Sequence, residues 1–128
     1  MLQNDGFSRW LGIELMEVYP GKAKIKMRVR GDMLNGFNIC HGGIPFSLAD
    51  SAMAFASNSE GKISVSVENS ISYIEKLFEG DELIAEAEEL SSNKKISVYN
   101  VTIVKDNVLL AAHFKGIVYK TGKEPLNE

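Results

Sequence analysis

Apolar residues follow two rhythms along this chain, and the rhythm changes near residues 58–61. Residues 22–30 alternate strictly, with Ala23, Ile25, Met27 and Val29 set against Lys22, Lys24, Lys26, Arg28 and Arg30, the period of a strand with one face turned inward. Before them, residues 7–11 with Trp10 read as a short amphipathic helix ended by Gly12. Residues 13–19 read as extended and Pro20-Gly21 as a turn. Residues 31–40, with Asn35-Gly36, form a loop. The stretch from Gly43 through Pro45, Phe46, Leu48, Ala49, Ala52, Met53 and Phe55 is apolar nearly all round, as in a helix buried on most sides. Pro45 suits its first turn, where a missing N–H costs nothing. Asn58-Ser59-Glu60-Gly61 ends the helix after residue 57.

From residue 63 the period is two. Ile63, Val65, Val67, Asn69, Ile71 and Tyr73 share one face, with serines and Glu68 mostly opposite. Turns at Phe78-Glu79-Gly80-Asp81 and Ser91-Ser92-Asn93-Lys94 bound strands over 82–90 and 95–105. Asp106-Asn107 fits a two-residue hairpin loop, since both residue types tolerate positive φ. The last strand covers 108–120, with Gly116 a bulge or a point of close contact, and residues 121–128 form a polar, loose tail. This order (strand, long helix, four-strand antiparallel meander) argues against a parallel sheet. It predicts one α+β domain over residues 1–128, an antiparallel β-sheet wrapped around a long central α-helix, with residues 1–12 contributing the short N-terminal helix. A helix so apolar is hard to cover with one small sheet, which suggests that a second subunit helps bury it.

Composition narrows the functional classes. A chain of 128 residues, 45 % apolar and 24 % charged, is one ordinary globular domain. Its formal charge of −3 argues against nucleic acid as a partner. The basic stripe over residues 22–30 reads as a solvated strand face, the alternative being a rim for an anionic ligand. Cys40 is the sole cysteine, so no intrachain disulfide exists. The first residues show neither a basic leader nor an apolar core, and no segment approaches a membrane span. A cytoplasmic protein with no membrane partner is expected. Two histidines and one cysteine without ligand spacing make a metal site improbable.

The chemistry gathers around one acid. Asp50 lies in the middle of the apolar helix, where an unpaired charge is costly or shifts its pKa upward. Gly42 and Gly43 open the same helix, whose free backbone N–H groups make a site for negative charge. An acid and an anion-binding helix end on one helix suggest a polarised carbonyl attacked nearby.

Asn35-Gly36, then Cys40-His41-Gly42-Gly43, then Phe46-Ser47-Leu48-Ala49-Asp50-Ser51-Ala52 with Asn58-Ser59, resemble the signature of hotdog-fold acyl-CoA thioesterases of the PaaI type, related to the 4-hydroxybenzoyl-CoA thioesterases. The likeness continues in Ile71-Ser72-Tyr73, Gly80-Asp81-Glu82-Leu83 and Ala111-Ala112-His113-Phe114-Lys115-Gly116, and covers about residues 11–119. It implies a hotdog fold, an acyl-CoA substrate, no cofactor, and a homodimer that assembles further to a homotetramer. It implies Asp50 as general base or nucleophile and the Gly42 N–H as the group polarising the thioester carbonyl. Asn35 would position water or the carboxylate, Ser51 would sit beside the site, and the Ser66 hydroxyl would assist. His41 and Gly43 would shape the substrate site at the helix start. Many relatives carry histidine where this chain has Phe37, which points to a different pocket mouth.

Geometry supports a shared site. Asp50 follows Gly42 by eight positions, roughly 12 Å along a helix, too far for both to meet one carbonyl. Two antiparallel helices related by a dyad would close that gap, with Asp50 of one subunit facing the helix end of the other. Cys40 next to His41 makes no nucleophilic dyad, since neighbours in an extended segment point opposite ways. His113 reads as a satisfied structural histidine. Two alternatives stay open: a non-catalytic acyl-CoA or acyl-carrier binding module, and a hotdog dehydratase or hydratase in which His41 would pair with an acid.

Overall fold

The computed structural model describes residues 4–59 and 63–123. Helix α1, Gly6–Leu11, starts at Asp5, whose carboxylate accepts the Ser8 N–H at 3.0 Å, and it ends at Gly12 in the left-handed conformation. Strands β1, Glu14–Tyr19, and β2, Lys22–Arg28, form a hairpin, and the long helix α2 covers Gly43–Asn58. Strands β3, Ser64–Tyr73, β4, Glu82–Ser92, β5, Ile96–Lys105, and β6, Leu109–Lys120, complete one antiparallel sheet in the order β1-β2-β4-β5-β6-β3.

That order corrects the four-strand meander. Strands β4, β5 and β6 do form a meander, but β3 pairs with β6 at the far edge and β4 returns to β2. The reason is connection length. Asp106 and Asn107, both at positive φ, make the tight loop that keeps β5 and β6 adjacent. Residues 74–81 between β3 and β4 are long enough to step across two intervening strands spaced about 4.8 Å apart.

Strand β2 alternates as its sequence predicts: Ala23, Ile25 and Met27 are buried beneath α2. Its cations face a complementary row on β4, with Lys22 opposite Glu88, Lys24 opposite Glu86 and Arg28 opposite Glu82. Such cross-strand pairs account for the stripe without an anionic ligand.

Strand β3 departs from its expected face. Ser66 pairs with Val118 and Glu68 with Ile117, so Val67 is the extra residue of a bulge. Before the bulge Ser66 faces α2; after it Asn69, Ile71 and Tyr73 do. Val65 and Val67 are exposed instead, 44 % and 58 %, leaving an apolar margin on the edge strand.

Helix α2 buries Ile44, Leu48, Ala49, Ala52, Met53, Phe55 and Ala56 against Ile25, Leu83, Ala85, Tyr99, Val101, Ile103 and Phe114. Phe46 meets Phe114 edge to face, 5.5 Å between ring centres. Gly116 is a point of close contact rather than a bulge: a Cβ there would lie 2.3 Å from Met53 Sδ. The end of α2 is tied down by Asn58, which donates to the Ala54 carbonyl and accepts from the Ser64 N–H, and by Ser59, which donates to the Tyr19 carbonyl. Among the described residues no helix is long and apolar enough to cross a membrane.

Candidate active site

Asp50 is half-buried on α2, and burial raises its pKa above the ordinary carboxylate value, with the charge of Asp5 adding in the same direction. Its polar neighbour is Asn69 of β3, whose Nδ2 donates to Asp50 Oδ1 at 3.5 Å and to Ser66 Oγ at 2.7 Å. Ser66, Asn69 and Asp50 thus form one chain of polar contacts on the helix-facing side of β3.

Ser51, the next residue along α2, turns toward α1. Its hydroxyl lies 2.9 Å from that of Ser8, which donates in turn to Asp5 Oδ2 at 2.6 Å. Both serines are buried. This relay fixes α1 beside the middle of α2 and explains why Asp5 bears on Asp50.

The start of α2 is a separate cluster. Gly42 is the N-cap, with no side-chain cap bond, and its N–H has no partner among the described residues. Its carbonyl accepts from Tyr73 Oη at 2.7 Å, while the following amide, Gly43 N–H, donates to His41 Nδ1 at 3.1 Å. The peptide between Gly42 and Gly43 is therefore held at both its oxygen and its nitrogen. Gly42 also admits the tyrosine, since a Cβ there would lie 3.1 Å from Tyr73 Oη. Beside this cluster a cavity of about 320 Å³ is lined by Cys40, Gly42, Pro45, Tyr73, Lys76 and Leu77.

Asn35 sits in the preceding loop and uses its Oδ1 to accept the N–H groups of Phe37 and Ile39, at 2.8 and 3.2 Å. This holds Phe37 at the loop tip, 83 % exposed. Within one subunit the structure joins Asp50 to Ser66, but leaves Asn35, Phe37, His41, Gly42 and Gly43 at the other end of α2, separated by the helical rise of roughly 12 Å.

Cys40 is buried, and its thiol is pushed up to about 11 by burial and then by the charge of Asp81, so it stays protonated at neutral pH. His113 pairs with the Asn100 side-chain oxygen, the satisfied role expected of it. Among the described residues no three His, Cys, Asp or Glu side chains gather where they could hold a metal ion. Three contributors were not assigned from sequence: Asn69 as donor to Asp50, Tyr73 as clamp on Gly42, and Ser8 as partner of Ser51. Tyr73 and Asn69 each had a signal, their period-two placement on the face of Ile71, where an amide marks either a buried polar contact or a bulge.

A sheet around one helix, with an acid in the helix and an unpartnered Gly42 amide at its start, defines a thioesterase-like hotdog domain. The thioesterase superfamily model matches residues 37–112. The chain belongs to that superfamily, and its enzyme class is thioester hydrolase. It is 38% identical over 122 residues to acyl-coenzyme A thioesterase PaaI of Escherichia coli K12, covering 95% of this chain and 87% of that protein. It is 30% identical over 106 residues to acyl-coenzyme A thioesterase 13 of Homo sapiens, covering 80% of this chain and 76% of that protein. The solved structure of Escherichia coli PaaI, from the phenylacetic acid degradation operon, superposes with a TM-score of 0.94 at 37% identity, over 97% of this chain and 90% of that one.

Proposed function

We propose that this chain is an acyl-CoA thioesterase whose site is completed by a second copy of itself. Water attacks the thioester carbon, and Asp50 removes the proton from that water. The tetrahedral oxyanion forms against the N–H of Gly42 of the partner subunit, where a helix N-terminus offers a free donor and a positive dipole. Collapse breaks the carbon–sulfur bond and expels CoA as thiolate, which takes up a proton, leaving the free acid. Direct attack by Asp50 through an anhydride is the nucleophilic variant of the same arrangement.

The observation carrying this reading is Asp50 itself, an acid with a raised pKa held within an apolar helix in a chain 38% identical to an acyl-coenzyme A thioesterase. The dimer is supported by the exposed Val65 and Val67 on edge strand β3, since an unpaired apolar edge invites a second strand. A homotetramer would pair two such dimers. Asn35, His41 and Gly43 shape the loop that presents the Gly42 amide, Phe37 contacts the acyl group across the seam, and Ser51 and Ser66 flank the acid. This reading takes a cytoplasmic setting.

The test is thiol release from a panel of acyl-CoAs, with sedimentation to read assembly. Asp50→Asn should lower kcat by more than about a hundredfold while leaving a folded oligomer. Full activity in that variant overturns the reading. Oxygen-18 incorporation into Asp50 during a single turnover separates nucleophile from base.

A further inference from the structure

Asn69 has no part in the mechanism so far, yet the chain is arranged around it. In an unbroken strand residues 66 and 69 would lie on opposite faces. The bulge at Val67 brings both to the α2 side, where the Asn69 amide reaches Ser66 Oγ at 2.7 Å and Asp50 Oδ1 at 3.5 Å. Its other end is costly: Asn69 Oδ1 is buried without a hydrogen-bond partner among the described residues, and a buried acceptor left unpaired forfeits its hydration. Space for that oxygen exists because β6 carries glycine opposite; a Cβ on Gly116 would lie 2.7 Å from it. A leucine would fill the same volume without an unpaired oxygen. A bulge, an orphaned acceptor and a glycine together aim one –NH₂ group at one carboxylate.

We infer that Asn69 is a positioning residue that holds the Asp50 carboxylate in one orientation and in its ionised form, with Ser66 fixing the amide; the inference rests on Asp50 being the acting acid. An N–H donor favours the charged carboxylate, because a protonated acid accepts that bond poorly. The donor works against burial and against Asp5, which both favour the neutral form. Other surroundings of Asp50 contribute little charge. The strands beneath α2 present Ile25, Ala85, Val101 and Phe114, while Glu68 and Lys115 lie exposed on the outer side of the sheet. The 3.5 Å separation is the long form that such contacts take without substrate and that shortens as the site closes.

The experiment compares pH profiles of kcat for an acyl-CoA turned over by the wild type, using Asn69→Leu, Asn69→Asp and Asp50→Asn. Asn69→Leu should move the acidic limb upward by about one pH unit while Tm holds or rises, since the orphaned acceptor is gone. Asn69→Asp keeps the shape but swaps a donor for a second carboxylate, so its limb should move further in the same direction. It also serves if the leucine variant does not fold. An acidic limb unmoved in these variants, with any lost activity tracking lost Tm, overturns the inference. An inactive Asp50→Asn beside an unmoved limb overturns only the part given to Asn69; a fully active Asp50→Asn removes the underlying reading instead.

Discussion

Gly116→Ala adds one methyl group, and the structure decides its sign. Gly116 is not at positive φ, so its backbone is open to alanine. Losing unfolded-state freedom would by itself stabilise the protein by about 0.4–1 kcal/mol. Against that, the new Cβ would lie 2.3 Å from Met53 Sδ, 2.9 Å from Met53 Cε and 2.7 Å from Asn69 Oδ1. The methionine end is flexible, but Met53 is only 1% exposed and has no solvent to swing into. Overpacking of such a site costs about 1–3 kcal/mol, which outweighs the entropic gain. A net loss of about 1.3 kcal/mol corresponds to a Tm about 5 °C lower for a domain of this size, from the usual unfolding entropy per residue. Calorimetry reads it directly. In a Met53→Ala background the same substitution should cost at least about 1 kcal/mol less, a coupling expected only of groups that collide. A Tm unchanged or raised by Gly116→Ala, or a cycle in which the two changes simply add, would refute this account of the contact.

Asp50→Asn should stabilise the protein at neutral pH. The folded pKa of Asp50 lies above its unfolded value, so its stabilising influence is present below the unfolded pKa and lost as pH rises through the folded one. The Tm advantage of the variant should therefore be largest at pH 7–8 and shrink on acidification; the opposite trend contradicts the burial argument. Cys40, with its pKa at about 11, should resist iodoacetamide at pH 8 in the folded state and react on unfolding, because only about one thiol in a thousand is ionised there; rapid alkylation of native protein would refute it. Tyr73→Phe removes the bond to the Gly42 carbonyl. It should cost about 1 kcal/mol in denaturant unfolding and lower kcat severalfold with little change in KM, whereas an unchanged kcat would mean that the clamp does not orient the helix-start amide.

Where burial is one-sided, the sequence already carries the element. Strand β2 was legible because it has a single face to cover and its two-residue period reports it, and helix α2 because an apolar run too long for one strand opens on glycines and Pro45. The hairpin loop at Asp106 and Asn107 was legible because two residues must take positive φ there. Strand order was not, since nothing local in residues 74–81 says how many strands the connection passes. The face assignment of Val65 and Val67 failed for a related reason. One bulge at Val67 reverses the parity of everything before it, and a two-residue period cannot register an added residue that keeps the same composition. At the site, Asp50 stood out as a charge among apolar neighbours. Tyr73 and Ser8 did not, because each acts on a residue more than thirty positions away, Gly42 and Ser51 respectively.

Three local rules are broken within a few ångströms of one another: a carboxylate inside an apolar helix, an amide oxygen buried without a partner, and a glycine in a strand interior. Taken one at a time, each departs from the residue that packing or strand propensity alone would favour. Together they are interdependent. The glycine makes room for Asn69 and Met53, Asn69 reaches Asp50, and Asp50 keeps its place on the helix although burial disfavours its charge. Repairing one alone would strand the next, since alanine at 116 displaces the amide and leucine at 69 leaves the acid without its donor. Structural convenience would not preserve three mutually dependent defects at one spot on the sheet edge, whereas a requirement for an oriented, ionised acid there accounts for all of them.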